Sequence, residues 1–250
     1  MEDQNSQASS IEAKSSPTET KPALTFDRQM DLFNPYEHQV PIVLVGAGTI
    51  GSWTALALSK IGFDDIYVFD PDIVEPQNRS NQLYGSDSLG DYKVEELKWI
   101  IQMLSNNIIT QVPETFPNEY PKNCILIVTV DSMKSRKEIF KWLQVNFGDV
   151  QFFIDARTGG EVARVFAFSP SMPSEMDRYA LTLHDDKPAE GMNEEAAHAS
   201  DIPCTARSIV DVSLMVASRI TNTVRKFLTK KDVPFETDID MRNDIWISQR

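Results

Sequence analysis

The sequence predicts an α/β fold: a doubly wound, mostly parallel sheet with a more antiparallel C-terminal half. Two observations support this prediction. Short apolar runs alternate with segments of helical periodicity along most of the chain, an order typical of parallel strands joined by helices. In the second half, Gln151–Asp155 and Glu161–Phe168 both have the composition of strands, and the sheet is expected to become more antiparallel there.

In the first half of the chain, apolar runs and helical spacing define five elements. Val40–Val45 is a continuous apolar run and forms the first predicted strand, and Ser52–Ile61 follows it as a helix. Asp65–Asp70 is a second strand, bounded by acidic residues and a proline. Lys93–Leu104 carries apolar residues at helical spacing, and Ile125–Val130 is an apolar strand.

Helical and polar segments complete the prediction. Thr25–Phe33 is expected to form a short helix, and Ser135–Val145 and Ile209–Leu228 longer ones. Residues 1–24 are polar and nearly free of large apolar side chains, which is the composition of a disordered tail. Residues 184–202 are polar and acidic, as is typical of a long mobile loop.

The length and charge of the chain limit its function classes. The chain has 250 residues, 41% of them hydrophobic, so residues 25–250 are long enough for one large domain with a full core. The formal net charge of -13 argues against non-specific binding to nucleic acid or to an anionic membrane. Neither a signal peptide nor an apolar stretch of membrane-spanning length is visible, so a cytoplasmic location is expected.

A glycine motif, Gly46-Ala-Gly48-Thr-Ile-Gly51, follows the first strand and opens the first helix. The first glycine permits a tight turn, the second lets backbone approach a phosphate, and the third lets helix meet strand. The helix N-terminus then offers free N–H groups and a positive dipole end to the anion. Asp70 ends the next strand, where a carboxylate can accept ribose hydroxyls. A Rossmann-like nucleotide site is therefore expected, with either NAD or ATP as its ligand.

The segment after the second strand favours ATP over a redox dinucleotide. It supplies two cations, Arg79 and Lys93, and two neutral donors, Asn78 and Gln82. Adenylation needs such a cluster, because charge builds on the phosphoryl oxygens and pyrophosphate must leave with its charge neutralised. Asp131, at a strand end, is a candidate ligand for Mg²⁺, which prefers one or two carboxylates together with phosphate oxygens and water.

Landmarks from Arg28 to Leu228 resemble the ThiF/MoeB family, the bacterial relatives of ubiquitin-activating E1 enzymes. They occur in the family's order: Arg28-Gln29, the Gly46–Gly51 motif, Asp70-x-Asp72-x-Val-Glu75, Asn78…Gln82, Gly90-x-x-Lys93 and Asp131-Ser132…Arg136. Asp155-Ala-Arg157-Thr-Gly-Gly160 and Cys204-Thr-Ala-Arg look more like the divergent ThiF-type proteins of bacteria and phages than like MoeB itself.

The resemblance implies an enzyme that binds ATP and Mg²⁺ and adenylates the C-terminal glycine carboxylate of a small ubiquitin-like or sulfur-carrier protein. It also implies a homodimer in which Arg28 reaches into the nucleotide site of the partner subunit. The other residue roles that it implies are ribose binding for Asp70, phosphate binding for Lys93 and Asn78, magnesium binding for Asp131, and places at the nucleotide site for Asp72 and Ser132.

The chain departs from the family pattern at one cation. Asn81 stands where the family has an arginine, and Arg79 lies two residues earlier. In an extended loop such a shift keeps a side chain on the same face, so Arg79 either replaces the missing cation or is a surface residue. The change supports a second hypothesis for the whole chain, a catalytically impaired E1-like subunit or structural homologue that binds nucleotide without adenylation.

The cysteines and histidines give weaker signals. The chain has two cysteines, which exclude a four-cysteine zinc site, and no structural zinc is expected. Cys124 borders an apolar run and is expected to be buried. Cys204 precedes a helix, whose N-terminus lowers a thiol pKa, so it has either a thioester or persulfide role or a structural one. His184 and His198 lack the spacing of a zinc site and are expected to be solvated.

Overall fold

The parallel part of the sheet forms from the apolar runs that the sequence predicts as strands. The structure, a computed structural model, describes residues 25–184 and 209–250. Its strands are β1 Ile42–Val45, β2 Ile66–Phe69, β3 Thr110–Val112, β4 Cys124–Val128, β5 Val150–Gly159, β6 Val162–Phe168, β7 Glu236–Asp240 and β8 Ile245–Gln249. Within the described residues they form one sheet in the order β3-β2-β1-β4-β5-β6-β7-β8. Strands β1 to β5 run parallel and β6 to β8 antiparallel, which confirms the predicted fold class.

Helices cover both faces of this sheet. They are α1 Gly51–Ile61, α2 Lys93–Ser105, α3 Met133–Asn146, α4 Pro173–Ala180 and α5 Val210–Leu228. One face packs on α1, α2 and α5 through core residues such as Leu44 and Leu58. The other face packs on α3 and α4 through residues such as Val43 and Leu143. Because both faces are buried, the central strands are apolar at successive positions.

The sequence analysis does not predict β3, α4, β7 or β8. The sequence does not predict strand β7, because the strand alternates the buried residues Thr237 and Ile239 with partly exposed acids. Two of these acids pair with the neighbouring strand, since Arg164 Nε lies 2.9 Å from Glu236 and 2.5 Å from Asp238. A pairing between residues so far apart in the chain leaves no local pattern.

The short helix predicted at Thr25–Phe33 is wrong. The chain forms successive hydrogen-bonded turns there. The side chain of Gln29 donates to the carbonyl of Ile61 at 2.8 Å, and the ring centroids of Phe33 and Phe63 lie 5.7 Å apart. These contacts with the end of α1 and the residues after it outweigh the local helix propensity of the segment.

Some of the predicted features lie outside the residues that the structure describes. They are the tail at 1–24, the loop after residue 184, His198 and Cys204, and the statements about them stay predictions. Cys124 is buried, as predicted, and burial raises its pKa to about 12. Within 25–184 and 209–250, no helix is both long enough and apolar enough to cross a membrane.

The turn between β1 and α1 packs tightly against Thr129, the residue after β4. Thr129 Oγ1 donates to the Gly46 carbonyl at 2.9 Å. Gly46 has a φ of 100°, in the left-handed region that favours glycine. A Cβ atom at Gly51 would lie 1.8 Å from the Gly46 carbonyl oxygen and 2.8 Å from Thr129 Oγ1. Only glycine fits at position 51, and its absence of a side chain lets α1 begin directly at the turn.

We expect Gly51→Ala to lower the free energy of unfolding by about 3 kcal/mol, because the new methyl group collides with backbone that is fixed in the sheet. For a chain of this size the fall in Tm is on the order of 10 °C. Gly48→Ala is the matched control, since a Cβ there meets no atom within 4 Å. Thermal and urea denaturation measure both variants, and equal stability would contradict the close approach at Gly51.

Candidate functional site

A cleft of about 540 Å³ opens where β1, β2 and β4 end. This carboxyl edge is where ligands bind in doubly wound sheets. Most of the site residues predicted from sequence lie on the lining of the cleft: Gly46, Gly48, Asp70, Asp72, Asn78, Gln82, Lys93 and Asp131. The fold thus brings together residues that are up to 85 positions apart in the chain.

Four of the predicted residues that the structure describes lie away from this lining: Gly51, Ser132, Arg28 and Arg79. Gly51 supports the turn behind the cleft. Ser132 caps α3, since its Oγ accepts the amide three residues further on at 3.1 Å. Arg28 and Arg79 are both exposed. Cys204 lies outside the described residues, and its thioester or persulfide role stays a prediction.

The phosphate loop, residues 46–51, presents to the cleft three amides that have no acceptor among the described residues. Gly48, Thr49 and Ile50 all line the cleft, and no described residue accepts a hydrogen bond from their amides. The amide of Ser52 is already bonded back to the Gly48 carbonyl at 3.0 Å. Unpaired N–H groups and the positive end of the α1 dipole together suit the oxygens of a phosphate group.

Asp70 joins the phosphate loop to the end of β2. Its Oδ2 accepts the amide of Ala47 at 2.6 Å, and its Oδ1 accepts the amide of Asp72 at 2.9 Å. Asp70 is 6% exposed, and this burial raises its pKa against the opposing effects of Lys93 and the two amides. Each carboxylate oxygen keeps a second lone pair, which is able to accept a ribose hydroxyl.

Lys93 is held at the cleft by Asp72. It is the first residue of α2, it is buried, and its Nζ lies 2.8 Å from Asp72 Oδ2. Its amide also donates to the Asp72 carbonyl at 2.9 Å. A long lysine side chain that is already held in place loses less conformational entropy when it binds a ligand. In this structure Asp72 therefore positions the side chain of Lys93.

The loop between β2 and α2 is anchored to the phosphate loop and to α1. Trp53 Nε1 donates to the Asn81 carbonyl at 3.0 Å, and the Tyr84 hydroxyl donates to the Ala47 carbonyl at 2.6 Å. Burial raises the pKa of Tyr84 well above its ordinary value, so the hydroxyl stays a donor. Sequence reasoning missed Tyr84, because its contact joins positions far apart in the chain without a motif.

The cleft carries more acidic than basic side chains. Lys93 and Arg136 are the cations on its described lining. The carboxylates there are Asp70, Asp72, Glu75, Glu114, Asp131 and Glu138. A polyphosphate in this cleft therefore needs further positive charge. Mg²⁺ fits the exposed Asp131, because it prefers one or two carboxylates with phosphate oxygens. Among the described residues, no three side chains come together as a metal centre of their own.

A buried group of charged residues lies behind the cleft, and sequence reasoning did not recognise it. Asp155 of β5 is fully buried and accepts hydrogen bonds from Arg136, Arg157 and Tyr179. One signal was available in the sequence: Asp155 directly follows the apolar residues Phe152–Ile154 within a predicted strand, where a buried carboxylate requires partners.

Matches to known proteins identify the family. The sequence model of the ThiF family matches residues 37–237 of this chain. The chain belongs to the ThiF family. The matched part of this ThiF-family chain contains the phosphate loop, the whole lining of the cleft and the buried group around Asp155.

The ThiF-family chain is also similar to a curated enzyme, the adenylyltransferase and sulfurtransferase UBA4 of Candida albicans. The two are 30% identical over 101 residues, which cover 37% of this chain and 23% of UBA4. The chain thus spans about a quarter of the length of that relative.

Two solved structures show the same fold. The ThiF-family chain matches E. coli MccB, solved with ATP, at a TM-score of 0.64 and 17% identity, over 86% of this chain and 65% of MccB. It matches PaaA at a TM-score of 0.62 and 16% identity, over 90% of this chain and 68% of PaaA. The chain therefore spans about two thirds of the length of each, and identities this low show the fold alone.

We expect Tyr84→Phe to lower the free energy of unfolding by about 1.5 kcal/mol, because the Ala47 carbonyl loses its buried donor. Tyr36→Phe is the control, since Tyr36 is 68% exposed and its change is expected to stay within about 0.5 kcal/mol. Urea denaturation of both variants provides the comparison. If Tyr84→Phe unfolds at the wild-type urea concentration, this hydrogen bond does not hold the phosphate loop.

Proposed function

We propose that this chain is an ATP-dependent adenylyltransferase that activates the C-terminal glycine carboxylate of a small ubiquitin-like or sulfur-carrier protein. The main support is one arrangement: cleft amides that lack an acceptor in the described structure, beside a lysine held in place by Asp72. Membership of the ThiF family and similarity to UBA4, which is named an adenylyltransferase, support the same reaction. E. coli MccB, a neighbour in fold, was solved with ATP.

In the proposed reaction, a carboxylate oxygen of the carrier forms a bond to the α-phosphorus of ATP. The bond between that phosphorus and the bridging oxygen of the departing pyrophosphate breaks. Asp70 orients the ribose, and the amides of residues 48–50 bind phosphate oxygens. Lys93 neutralises charge on the leaving pyrophosphate, and Asn78 and Gln82 are neutral donors beside it.

Asp131 is the residue that would hold magnesium. Its carboxylate is exposed and lies on the lining of the cleft, directly after the end of β4. Bound magnesium would supply positive charge to the phosphate oxygens. Ser132 fixes the direction of the chain after Asp131, because it caps α3.

The shortage of cations in the cleft supports a second subunit as the source of another. Arg28 is exposed and does not line the cleft of its own chain. A guanidinium is permanently charged and planar, and it binds phosphate well. The proposal therefore includes a homodimer in which Arg28 contacts the ATP of the partner subunit.

A catalytically impaired subunit is the second candidate, and one observation favours it. Asn81 lies on the lining of the cleft where the family has an arginine, while Arg79 is exposed and lies away from the lining. Such a chain would bind ATP without adenylating a carrier. ATP–pyrophosphate exchange with small carrier proteins ending in Gly-Gly separates the candidates: exchange supports the enzyme, and ATP binding without exchange supports the impaired subunit.

We expect Lys93→Ala to slow ATP–pyrophosphate exchange about a hundredfold, because the loss of one preorganised charge contact costs on the order of 3 kcal/mol of barrier. ATP affinity is expected to fall much less, since the amides and Asp70 remain. Lys98→Ala on the same helix is the control, because Lys98 does not line the cleft. Exchange at the wild-type rate in Lys93→Ala would show that this lysine has no catalytic role.

We expect an Arg28→Ala chain and a Lys93→Ala chain to restore activity when they are mixed. In a heterodimer, one of the two sites then has Lys93 from one subunit and Arg28 from the other. Light scattering first gives the oligomeric state of the wild-type protein, and a monomer would already contradict the proposed role of Arg28. Mixed chains that form dimers and stay as inactive as each parent would contradict it as well.

A further inference from the structure

A buried cluster of charged side chains lies between the cleft and α4. At its centre, Asp155 Oδ2 accepts Arg157 Nε at 2.7 Å and the Tyr179 hydroxyl at 3.0 Å. The other carboxylate oxygen, Oδ1, accepts a hydrogen bond from Arg136. All four side chains are buried. We call these four residues the Asp155 cluster.

Arg136 connects the Asp155 cluster to the cleft. It lies in the first turn of α3, and it lines the cleft. Its Nη2 donates to the carbonyl of Val130 and, at 3.2 Å, to the carbonyl of Ala156. Val130 directly precedes Asp131, so the guanidinium ties the turn between β4 and α3 to β5.

Arg157 extends the cluster away from the cleft. Its Nη1 donates to the carbonyl of Thr182 and its Nη2 to the hydroxyl of the same residue, both at 3.0 Å. Its guanidinium carbon also lies 4.8 Å from the centroid of the Phe166 ring. These contacts hold Arg157 in one geometry, and Arg157 in turn fixes the direction of the Asp155 carboxylate.

Stability alone does not account for these charges. Burial of ions costs desolvation, and well-packed apolar residues of similar volume often stabilise a protein as well or better. A network of charge-assisted hydrogen bonds supplies a defined geometry, which a site for a ligand requires.

We propose that Asp155, Arg157 and Tyr179 are positioning residues for the turn at 130–132, and that they act through Arg136. They keep the Asp131 carboxylate at the cleft. The proposal rests on the magnesium role given to Asp131 under the proposed function.

The test compares Arg157→Gln with Arg164→Gln. The two arginines lie directly opposite each other on β5 and β6, but Arg164 pairs with Glu236 and Asp238. One readout is hydrogen exchange in the first turn of α3, residues 133–137. Calorimetry gives the other two readouts: ATP affinity in EDTA, and the magnesium concentration that half-saturates the increase in ATP affinity.

We expect Arg157→Gln to speed hydrogen exchange at 133–137 and to raise the half-saturating magnesium concentration about tenfold, as is typical when a residue that orients a metal ligand is lost. ATP affinity in EDTA is expected to stay unchanged. Arg164→Gln is expected to change none of the three. Tyr179→Phe removes a single donor, so we expect smaller changes in hydrogen exchange and in magnesium requirement, in the same direction. This variant decides the test if Arg157→Gln does not fold.

Two results would overturn the positioning role. One is a folded Arg157→Gln or Tyr179→Phe variant whose exchange at 133–137 and magnesium requirement match the wild type. The other is an equal change in both arginine variants, which would mean a general loosening of the sheet. If the wild-type chain shows no magnesium-dependent ATP binding, the proposed function fails, and exchange at 133–137 alone then decides whether the cluster holds the turn.

Discussion

The chain can turn from β1 into α1 where it does because position 51 has no side chain. Gly51 lies against the Gly46 carbonyl, and Thr129 beside the end of β4 contacts the same oxygen. This close approach brings the start of α1 to the edge at which β1, β2 and β4 end. The position of the amides of residues 48–50, the loop contact of Asp70 and the cleft itself all depend on that placement.

Around this turn, the side chains hold the backbone and Lys93 in place, but they supply little positive charge. Asp70 and Tyr84 bond to the backbone of Ala47, and Asp72 holds Lys93. These contacts fix the geometry of the proposed polyphosphate site, while the acids on the described lining outnumber the cations. The counter-charge has to come from outside this lining, and for this reason the proposed mechanism includes a divalent cation and a second subunit.

The sequence predicts those parts of the molecule whose physical causes are local. Continuous apolar runs predict the central strands, because strands buried on both faces need no polar alternation, and the spacing of Gly46, Gly48 and Gly51 predicts the turn into α1. The missing parts depend on distant contacts: Arg164 of β6 pairs with Glu236 and Asp238 of β7, and Tyr179 of α4 donates to Asp155 of β5. The sequence predicts both Lys93 and Asp72 as site residues, but their spacing does not show that the two side chains form an ion pair.

The buried carboxylate of Asp70 couples the conformation of the phosphate loop to pH. Because burial raises its pKa, the folded chain takes up a proton at Asp70 more readily than the unfolded chain does. As pH falls through this raised pKa, protonation of this one group therefore favours the folded state. A neutral carboxyl, however, has lost acceptor capacity for the amides of Ala47 and Asp72. Protonation of Asp70 therefore weakens its contacts with the phosphate loop without favouring unfolding of the chain.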